Sequence, residues 1–380
     1  MSGWQGLFWC AVALVVYTFG GYPVLIGLLA RRVRSLRPAD GVRTVESDLP
    51  SVAVLIPAYN EEAVIAAKIE NSLALTYPPD RLEVVVVSDG SDDGTPEIVA
   101  RYADRGVRLY HQPERQGKMA AINRVMPLLT TDIVVMTDAN AMVTPGALQA
   151  IVPHFADPTV AGVAGEKRVL GGGEGLYWRY ESFLKRCDSV ISSVMGAAGE
   201  LFAIRRERFE PPPANTLIDD FVISLRLVEQ GYRVVYEPAA VAIEPPSPSM
   251  LGDWRRRVRI AAGGIQSICW LPGLMSPCRG RIAWQYISHR VLRWLVTPFL
   301  LPIIYGTNLI LCGQPFYRLL LWGQTGFYLA ALVGYVWARQ GTPPRLLQAI
   351  FYFCFTNLAA IVGFWRYVTN RQPVTWEKAR

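Results

Sequence analysis

The sequence predicts an α/β domain set between α-helical transmembrane segments. Residues 51–245 contain short strand-like runs that alternate with helical patterns, as is typical of an α/β domain. Apolar runs long enough to cross a bilayer lie before and after this region. The composition agrees, because 51% of the 380 residues are hydrophobic and only 18% are charged.

The first apolar run covers residues 4–30 and predicts one N-terminal transmembrane helix over residues 1–30. It lacks a basic segment before it and ends in a poor cleavage site, so we expect a retained anchor rather than a signal peptide. A basic linker over residues 31–50 follows. By the positive-inside rule, this linker and the domain after it should be cytoplasmic.

Three Val- and Ile-rich runs, at residues 51–56, 83–87 and 133–137, predict parallel strands that are buried on both faces. Each run ends in polar residues. Ligands of open α/β sheets bind beyond the carboxyl ends of the strands. We therefore expect these polar segments to meet around one crevice of a domain spanning residues 51–248.

The C-terminal part predicts an interfacial helical region over residues 249–288, about three transmembrane helices over residues 289–368, and a basic tail over residues 369–380. Pro298 and Pro302 predict a kink in the first of these helices. Three crossings would place the tail outside the cell, whereas its basic charge favours the cytoplasm. The number of helices and the side of the tail therefore stay open.

The formal net charge of +7 arises largely from arginines beside the apolar segments. That placement favours anionic lipid headgroups or substrate phosphates as partners. No zinc-finger spacing or aromatic-basic pattern accompanies the arginines, so nucleic acid is not an expected partner. The six cysteines form no close-spaced pair and are expected to be free thiols.

The first two predicted strands are followed by the segments Pro-Ala-Tyr-Asn-Glu-Glu at residues 57–62 and Ser-Asp-Gly-Ser-Asp-Asp-Gly-Thr at residues 88–95. Neither is the glycine-rich turn of a dinucleotide-binding domain. Tyr59 is able to pack against a nucleobase, and Asp89 to accept hydrogen bonds from a base or ribose. The alternative is that both segments serve only as turns and helix caps.

Two further segments carry groups suited to a diphosphate and a cation. Lys118 stands at the start of a predicted helix, where a diphosphate is favoured, although a solvated surface lysine is the ordinary alternative. Asp138 and Asn140 follow the third strand and offer two oxygen ligands to a divalent cation. A second carboxylate is the usual partner in such a site. The Asn140 amide that stands in its place carries no negative charge, so we expect weaker metal affinity.

Asp219 and Asp220 begin a predicted helix that ends near Gly231. Acidic residues at a helix start are often only capping groups. The functional interpretation is that Asp220 accepts the proton of an attacking acceptor hydroxyl. We expect the helix dipole to help keep this base ionised.

In this order the segments resemble glycosyltransferase family 2, in particular its membrane-integrated bacterial branch, which includes relatives of the chitin-oligosaccharide, hyaluronan and poly-N-acetylglucosamine synthases. The resemblance covers essentially the whole chain. It implies an α/β GT-A (Rossmann-like) cytosolic domain, a UDP-sugar donor, a Mg or Mn divalent cation and a single inverting displacement. It also implies that Asp220 is the catalytic base and that Asp138 and Asn140 bind the metal. The donor-binding residues that it implies are Pro57, Ala58, Tyr59, Glu61, Asp89, Lys118 and Asp138.

The resemblance further implies an acceptor or product site formed by Gly199, Glu200, Asp219, Arg256 and Arg259. Residues 199–202, Gly-Glu-Leu-Phe, resemble the strand-edge segment against which the acceptor sugar rests in the family. One departure concerns residues 256–260, which read Arg-Arg-Val-Arg-Ile where processive members carry Gln-x-x-Arg-Trp. Only Arg259 is retained. The missing tryptophan removes a surface on which an acceptor sugar stacks, so processive polymerisation does not follow from the resemblance.

The leading hypothesis is transfer from a UDP-sugar to a growing cell-surface or extracellular polysaccharide. One form of this hypothesis is processive synthesis coupled to passage of the product through the membrane helices, and any export partner subunits are unknown. An enzymatic alternative is addition of a single sugar to a polyprenyl-linked intermediate. A non-enzymatic alternative is a transporter with a nucleotide-binding domain, which the few ionisable residues in the apolar runs disfavour. The expected location is the bacterial inner membrane, with several crossings and contact with membrane lipids.

Overall fold

A computed structural model describes residues 2–36, 49–170, 175–246, 249–341 and 343–374. The chain divides into two compact units. The first, called here the sheet unit, lies within Leu29–Pro246, and the second, the helical unit, combines Met1–Leu28 with Ser247–Gln372. Residues 37–48 of the predicted basic linker and residues 375–380 of the predicted tail lie outside the described residues.

The sheet unit is built on a mixed eight-stranded sheet with the order β3-β2-β1-β4-β7-β6-β8-β5. Its strands are β1 (Val52–Ala58), β2 (Leu82–Asp89), β3 (Val107–Gln112), β4 (Ile133–Met136), β5 (Met142–Val143), β6 (Val160–Val169), β7 (Phe202–Arg205) and β8 (Arg233–Glu244). The three strands predicted from the sequence are confirmed, since β1 pairs in parallel with both β2 and β4. All seven residues of β1 are buried, as expected for a strand covered on both faces.

The second half of the sheet changes direction. β7 pairs antiparallel with β4 and β6, while β6 and β8 run parallel to each other. The sequence did not predict these strands. β7 has only four residues, and β8 continues past its register shift with β6 near Gly165, so neither has the long apolar run that marks β1.

The chain contains thirteen α-helical segments within the described residues. They are α1 (Gly3–Val16), α2 (Tyr22–Leu36), α3 (Ile65–Leu73), α4 (Thr95–Ala100), α5 (Lys118–Val125), α6 (Ala147–Ile151), α7 (Gly175–Ile191), α8 (Asp219–Glu229), α9 (Met250–Trp270), α10 (Arg281–Tyr286), α11 (Thr297–Leu311), α12 (Pro315–Ala338) and α13 (Arg345–Val368). Apolar side chains of α3, α4 and α6 join those of β1, β2 and β4 in one buried core. This core fixes the carboxyl ends of three parallel strands side by side.

Within the described residues, four helical stretches are long and apolar enough to cross a membrane: Gly3–Val33, Arg281–Leu311, Pro315–Ala338 and Arg345–Val368. The first and the last two agree with the predicted spans. The second starts at Arg281, before the predicted start of the membrane-spanning region at residue 289, because α10 and a π-helix, Ile287–Val296, precede α11. A second π-helix, Tyr17–Gly21, separates α1 from α2. Pro298 is the second residue of α11, a position where a proline is tolerated, whereas Pro302 lies in the interior of the helix.

α9 corresponds to the predicted interfacial stretch. Its start is capped by Ser249, whose hydroxyl accepts a hydrogen bond from the Gly252 amide at 3.1 Å. Arg256 is exposed and Arg259 is half-buried on this helix. α9 is not among the four apolar stretches, since it carries Asp253 and several arginines.

Candidate active site

The turns after β1 and β2 are tied to each other by side chains. The Asn60 side chain donates to Asp92 Oδ1 at 2.5 Å and accepts from the Asp92 amide at 3.0 Å. The Glu61 amide donates to Thr95 Oγ1 at 2.7 Å. The backbone of Asn60 is left-handed, with φ of 54°, a conformation that asparagine tolerates better than most residues. The two polar segments therefore meet at one edge of the sheet, as predicted, with Pro57 and Ala58 buried beneath them at the end of β1.

Asp89 holds the loop that precedes α5. Both carboxylate oxygens lie 3.1 Å from the Gln116 amide nitrogen, and Oδ2 also accepts from the Gly117 amide at 2.6 Å. We expected the Asp89 carboxylate to accept hydrogen bonds from a base or ribose, but in this structure it already accepts them from two backbone amides. In this structure Asp89 positions the segment that carries Lys118.

Tyr59 is covered by Arg115, a residue that no sequence pattern marks as part of the site. The Arg115 guanidinium lies 3.6 Å from the centre of the Tyr59 ring, in a cation–π contact. This contact depends on how the loop before α5 folds back: Gly90, with φ of +71°, has no side chain and leaves room for the Arg115 backbone. The amino-acid spacing carries no signal for such a fold-back.

The side chains of four charged residues from three segments lie close together next to the end of β4: Lys118, Asp138, Asp219 and Asp220. Lys118 Nζ lies 2.8 Å from Asp138 Oδ1 and 3.0 Å from Asp219 Oδ2. The Lys118 side chain is only 12% exposed, so it is not the solvated surface lysine of the ordinary alternative. α5 and α8 begin at Lys118 and Asp219, as the sequence predicts.

Gly199 lies against this cluster. A β-carbon placed on Gly199 would be 3.4 Å from Lys118 Nζ, 3.5 Å from Asp220 Cγ and 3.7 Å from Asp138 Oδ2. These three groups therefore surround one small space that a larger residue would fill. Glu200, the next residue, is buried, and the acceptor segment predicted at residues 199–202 leads directly into β7.

The electrostatics of the cluster differ from the expectation for the base. Loss of hydration in the surrounding protein, together with the negative charge of Asp219, raises the pKa of Asp220 to about 8, although Lys118 acts in the opposite direction. Burial therefore outweighs any help that the dipole of α8 gives in keeping Asp220 ionised. Burial would lower the pKa of Lys118, but Asp138, Asp219 and Asp220 raise it above its ordinary value.

Asp138 and Asn140 stand in the turn after β4, and both are half-buried. No three His, Cys, Asp or Glu side chains group at metal-binding spacing in the described part of the chain. Asp138 and Asn140 as metal ligands therefore stay a prediction, which rests on one carboxylate and one amide oxygen in the same turn. Such a set suits a hard cation whose remaining ligands come from phosphate and water.

Two buried lysines behind the cluster were not predicted. Lys68 of α3 is fully buried, and its ammonium contacts the turn after β4. Lys167 of β6 forms ion pairs with Glu200 and, at 2.6 Å, with Glu244. A sequence pattern that reads lysine as a surface residue cannot find either, since burial of a lysine is decided by tertiary contacts.

Arg256 and Arg259 belong to the helical unit, whereas Lys118, Asp138 and Asp220 belong to the sheet unit. The predicted contact of Arg256 and Arg259 with an acceptor or a diphosphate therefore stays a prediction. Arg257, between them, pairs with Asp253 at 3.3 Å and lies 4.3 Å from the centre of the Tyr352 ring. That arginine therefore serves to join α9 to α13.

Comparison with known proteins identifies the domain that carries this cluster. The sequence model described as Glycosyl transferase family 2 matches residues 53–224, which include Asp89, Lys118, Asp138 and Asp220. A solved mannosyltransferase from Pyrobaculum calidifontis, in complex with GDP-mannose and Mn²⁺, has a similar structure with a TM-score of 0.75. It is 27% identical, and the similarity covers 96% of this chain and 99% of that one.

Curated relatives include enzymes of glycolipid and of polysaccharide synthesis. A β-monoglucosyldiacylglycerol synthase of Nostoc is 27% identical over 79% of this chain and 66% of its own length. A poly-β-1,6-N-acetyl-D-glucosamine synthase of Staphylococcus aureus is 26% identical over 57% of this chain and 55% of its own. The chain thus spans about two thirds or less of the length of these relatives.

The mixed eight-stranded sheet and these similarities identify a glycosyltransferase domain with a GT-A-like fold. That domain matches the glycosyl transferase family 2 model over residues 53–224.

Proposed function

We propose that this protein is an inverting glycosyltransferase that transfers a sugar from a UDP-sugar to a glycan or lipid-linked acceptor at a membrane. The observation that carries the proposal is the convergence of Lys118, Asp138 and Asp220 beside Gly199, within a family 2 domain. One cation and several carboxylates around one small space suit a reaction in which a diphosphate departs and a hydroxyl loses its proton.

In the proposed reaction, the acceptor hydroxyl oxygen attacks the anomeric carbon while the bond from that carbon to the donor phosphate breaks. Asp220 takes the proton of the hydroxyl, and the nucleoside diphosphate leaves with the electrons of the broken bond. A raised pKa suits Asp220 to this role, because a stronger base removes a proton more readily from an alcohol. Lys118 offers a positive charge next to Asp138 for the leaving diphosphate.

Asp138 and Asn140 are the residues that would hold a Mg or Mn ion. When bound, such an ion neutralises charge on the donor phosphates. The half-buried carboxylate of Asp138 and the amide oxygen of Asn140 fit a cation shared with the donor. The Mn²⁺ in the mannosyltransferase of similar structure supports a divalent cation here, without distinguishing Mg from Mn.

Two acceptor classes compete. Transfer to a growing polysaccharide is supported by the poly-N-acetylglucosamine synthase relative. Addition of one sugar to a lipid-linked acceptor is favoured by Ile260, which stands where processive members carry tryptophan. The glycolipid synthase relative, which matches 79% of the chain, supports the same choice. The length of the product separates the two: a ladder of long chains contradicts single addition, and one added sugar contradicts polymerisation.

The proposed location is the bacterial inner membrane, with several crossings and the sheet unit in the cytoplasm. Four apolar helical stretches support membrane association. Arg31 and Arg32, which follow the first stretch, support a cytoplasmic sheet unit by the positive-inside rule. UDP-sugars made in the cytoplasm would then reach the site directly.

The test is a screen of purified, detergent-solubilised protein against UDP- and GDP-sugars, with release of nucleoside diphosphate as the signal and mass analysis of the product. We expect release with a UDP-sugar, its loss in Asp220→Asn, and its loss when divalent cations are chelated. Undiminished release in Asp220→Asn would remove Asp220 as the base. Transport of a solute without release of nucleoside diphosphate would instead favour the transporter alternative.

A further inference from the structure

Lys68 joins the two ends of the turn that carries Asp138 and Asn140. Its ammonium donates to Thr137 Oγ1 at 2.9 Å and to the Ala141 carbonyl oxygen. Thr137 precedes the turn and Ala141 follows it, and both are buried. One side chain therefore closes the turn from behind, on the side away from solvent.

Asn71 extends this contact along the same helix. It lies three residues after Lys68, on the same face of α3. Its side chain donates to the Val143 carbonyl oxygen and accepts from the Val143 amide, both at 2.8 Å. Helix α3 thus holds residues 137–143 at three points, which are Thr137, Ala141 and Val143.

The same network reaches the acceptor segment predicted beside the active site. Thr137 Oγ1 accepts from Lys68 and donates to the Glu200 carbonyl oxygen at 2.8 Å. A hydroxyl has one donor and two acceptor positions, so both bonds are compatible. The carboxylate of Glu200 is held in turn by Lys167. The turn after β4 and the segment at residues 199–202 are therefore linked by Thr137.

A structural role in the core is the ordinary explanation for a buried polar side chain. A lysine amine is an expensive group to bury, as shown by the pKa of Lys68, which burial lowers to about 7. An apolar residue would fill the same space under α3 at lower cost. The N–H groups of Lys68 donate to the two ends of the short turn that carries Asp138 and Asn140, whose side-chain oxygen atoms are the proposed metal ligands. This placement favours a role in shaping the active site over a role in packing.

We propose that Lys68, acting through Thr137 and Ala141, is a positioning residue that sets the geometry of the turn at residues 138–140 for a divalent cation and the donor diphosphate. The inference rests on the proposed function for the identity of the ligands, but the shape of the turn can be tested without a sugar donor. Lys68 itself does not touch the donor in this proposal.

The variants that test it are Lys68→Met, which keeps the length of the side chain, and the pair Thr137→Val and Thr137→Ser. Ser72→Ala is the matched control, because Ser72 is buried on α3 and its hydroxyl bonds only to the Lys68 carbonyl oxygen in the described contacts. Two quantities are measured on the full chain in detergent: hydrogen exchange of the backbone amides over residues 137–143, and binding of Mn²⁺, followed by electron paramagnetic resonance, with UDP present.

We expect Lys68→Met and Thr137→Val to speed amide exchange over residues 137–143 and to weaken Mn²⁺ binding about tenfold, the loss of one hydrogen bond to a charged group being of that order. Thr137→Ser should restore both values, and Ser72→Ala should change neither. A Lys68→Met protein with the exchange and Mn²⁺ affinity of the wild type overturns the proposal. If Lys68→Met fails to fold, equal behaviour of Thr137→Val and Thr137→Ser overturns it.

Failure of the proposed function is distinguishable from failure of this inference. If wild-type protein binds neither Mn²⁺ nor UDP, the donor site itself is wrong. The exchange measurement still decides whether Lys68 and Thr137 shape the turn.

Discussion

At the scale of single residues, the chemistry of the site depends on the ionisation of Asp220. Its raised pKa means that the carboxyl group holds its proton over a range of pH in which an ordinary aspartate is ionised. Since the base acts only when deprotonated, kcat/KM should rise with pH through a value near 8 rather than near 4. The pH profile of nucleoside diphosphate release, measured at low donor concentration, checks this.

Asp219→Asn sharpens this prediction. The negative charge of Asp219 raises the pKa of Asp220, so its removal should move the acidic limb of the profile to lower pH. Asp220→Asn should reduce kcat by about 10²- to 10⁴-fold above the acidic limb, where the wild-type carboxylate is ionised, and the variant should lack that limb. A limb that stays in place in Asp219→Asn contradicts the assignment of that limb to Asp220.

Asn140→Asp tests the metal site from the other direction. A second carboxylate in the turn adds a negative charge to the oxygen ligands, so Mn²⁺ binding should tighten by roughly 3- to 10-fold. Asn140→Ala removes the ligand and should weaken binding. Titration of Mn²⁺ in the presence of UDP measures both. Identical affinities in the two variants would exclude residue 140 as a ligand.

At the scale of elements, the start of α8 depends on a glycine in the loop before β7. Gly196 has φ of +103°, and a β-carbon there would stand 2.0 Å from a ring carbon of Phe221. Gly196→Ala should therefore lower the free energy of unfolding by roughly 2–5 kcal/mol, through both backbone strain and overpacking. It should also disturb Asp220, which adjoins Phe221.

Gly231 provides the control for that substitution. It has a similar positive φ of +96°, but no atom lies within 4 Å of the position of its β-carbon. Gly231→Ala should cost only about 1 kcal/mol, the strain of the backbone alone. Thermal or denaturant unfolding of the two variants separates the terms. Equal losses of stability would show that Phe221 is not the obstacle.

The strands and helices also show what the sequence could predict. β1, β2 and β4 were recognisable because both of their faces are buried, which produces runs of Val and Ile. The helix starts at Lys118 and Asp219 were also recognisable from their local pattern. The antiparallel β7 was not, since four residues in the middle of a sheet carry no periodic signal.

Some features of the candidate site could be predicted from the sequence and others could not. The ends of parallel strands must share an edge, so the meeting of residues 57–62, 88–95 and 138–140 followed from the strand pattern. The partners of Asp89 and the burial of Lys68 did not follow. Both depend on which face of a distant helix or loop packs against the strand ends, and one sequence does not encode that as spacing.

At the scale of the whole molecule, the four apolar helical stretches predict an integral membrane protein. It should remain in the membrane fraction after a wash with alkaline carbonate or high salt and enter solution only with detergent. Such washes remove proteins that are held to lipid headgroups by charge, because salt screens that attraction. Release by carbonate would show that the apolar stretches do not cross the bilayer.

The two π-helices have a consequence for any labelling study of these membrane segments. In a π-helix each amide bonds five residues back instead of four, so the angular step between successive side chains is smaller there than in an α-helix. A helical wheel drawn through Tyr17–Gly21 or Ile287–Val296 with one constant angle will assign the residues beyond it to the wrong face. In cysteine-scanning experiments the rhythm of lipid-accessible positions should therefore break phase at these two places.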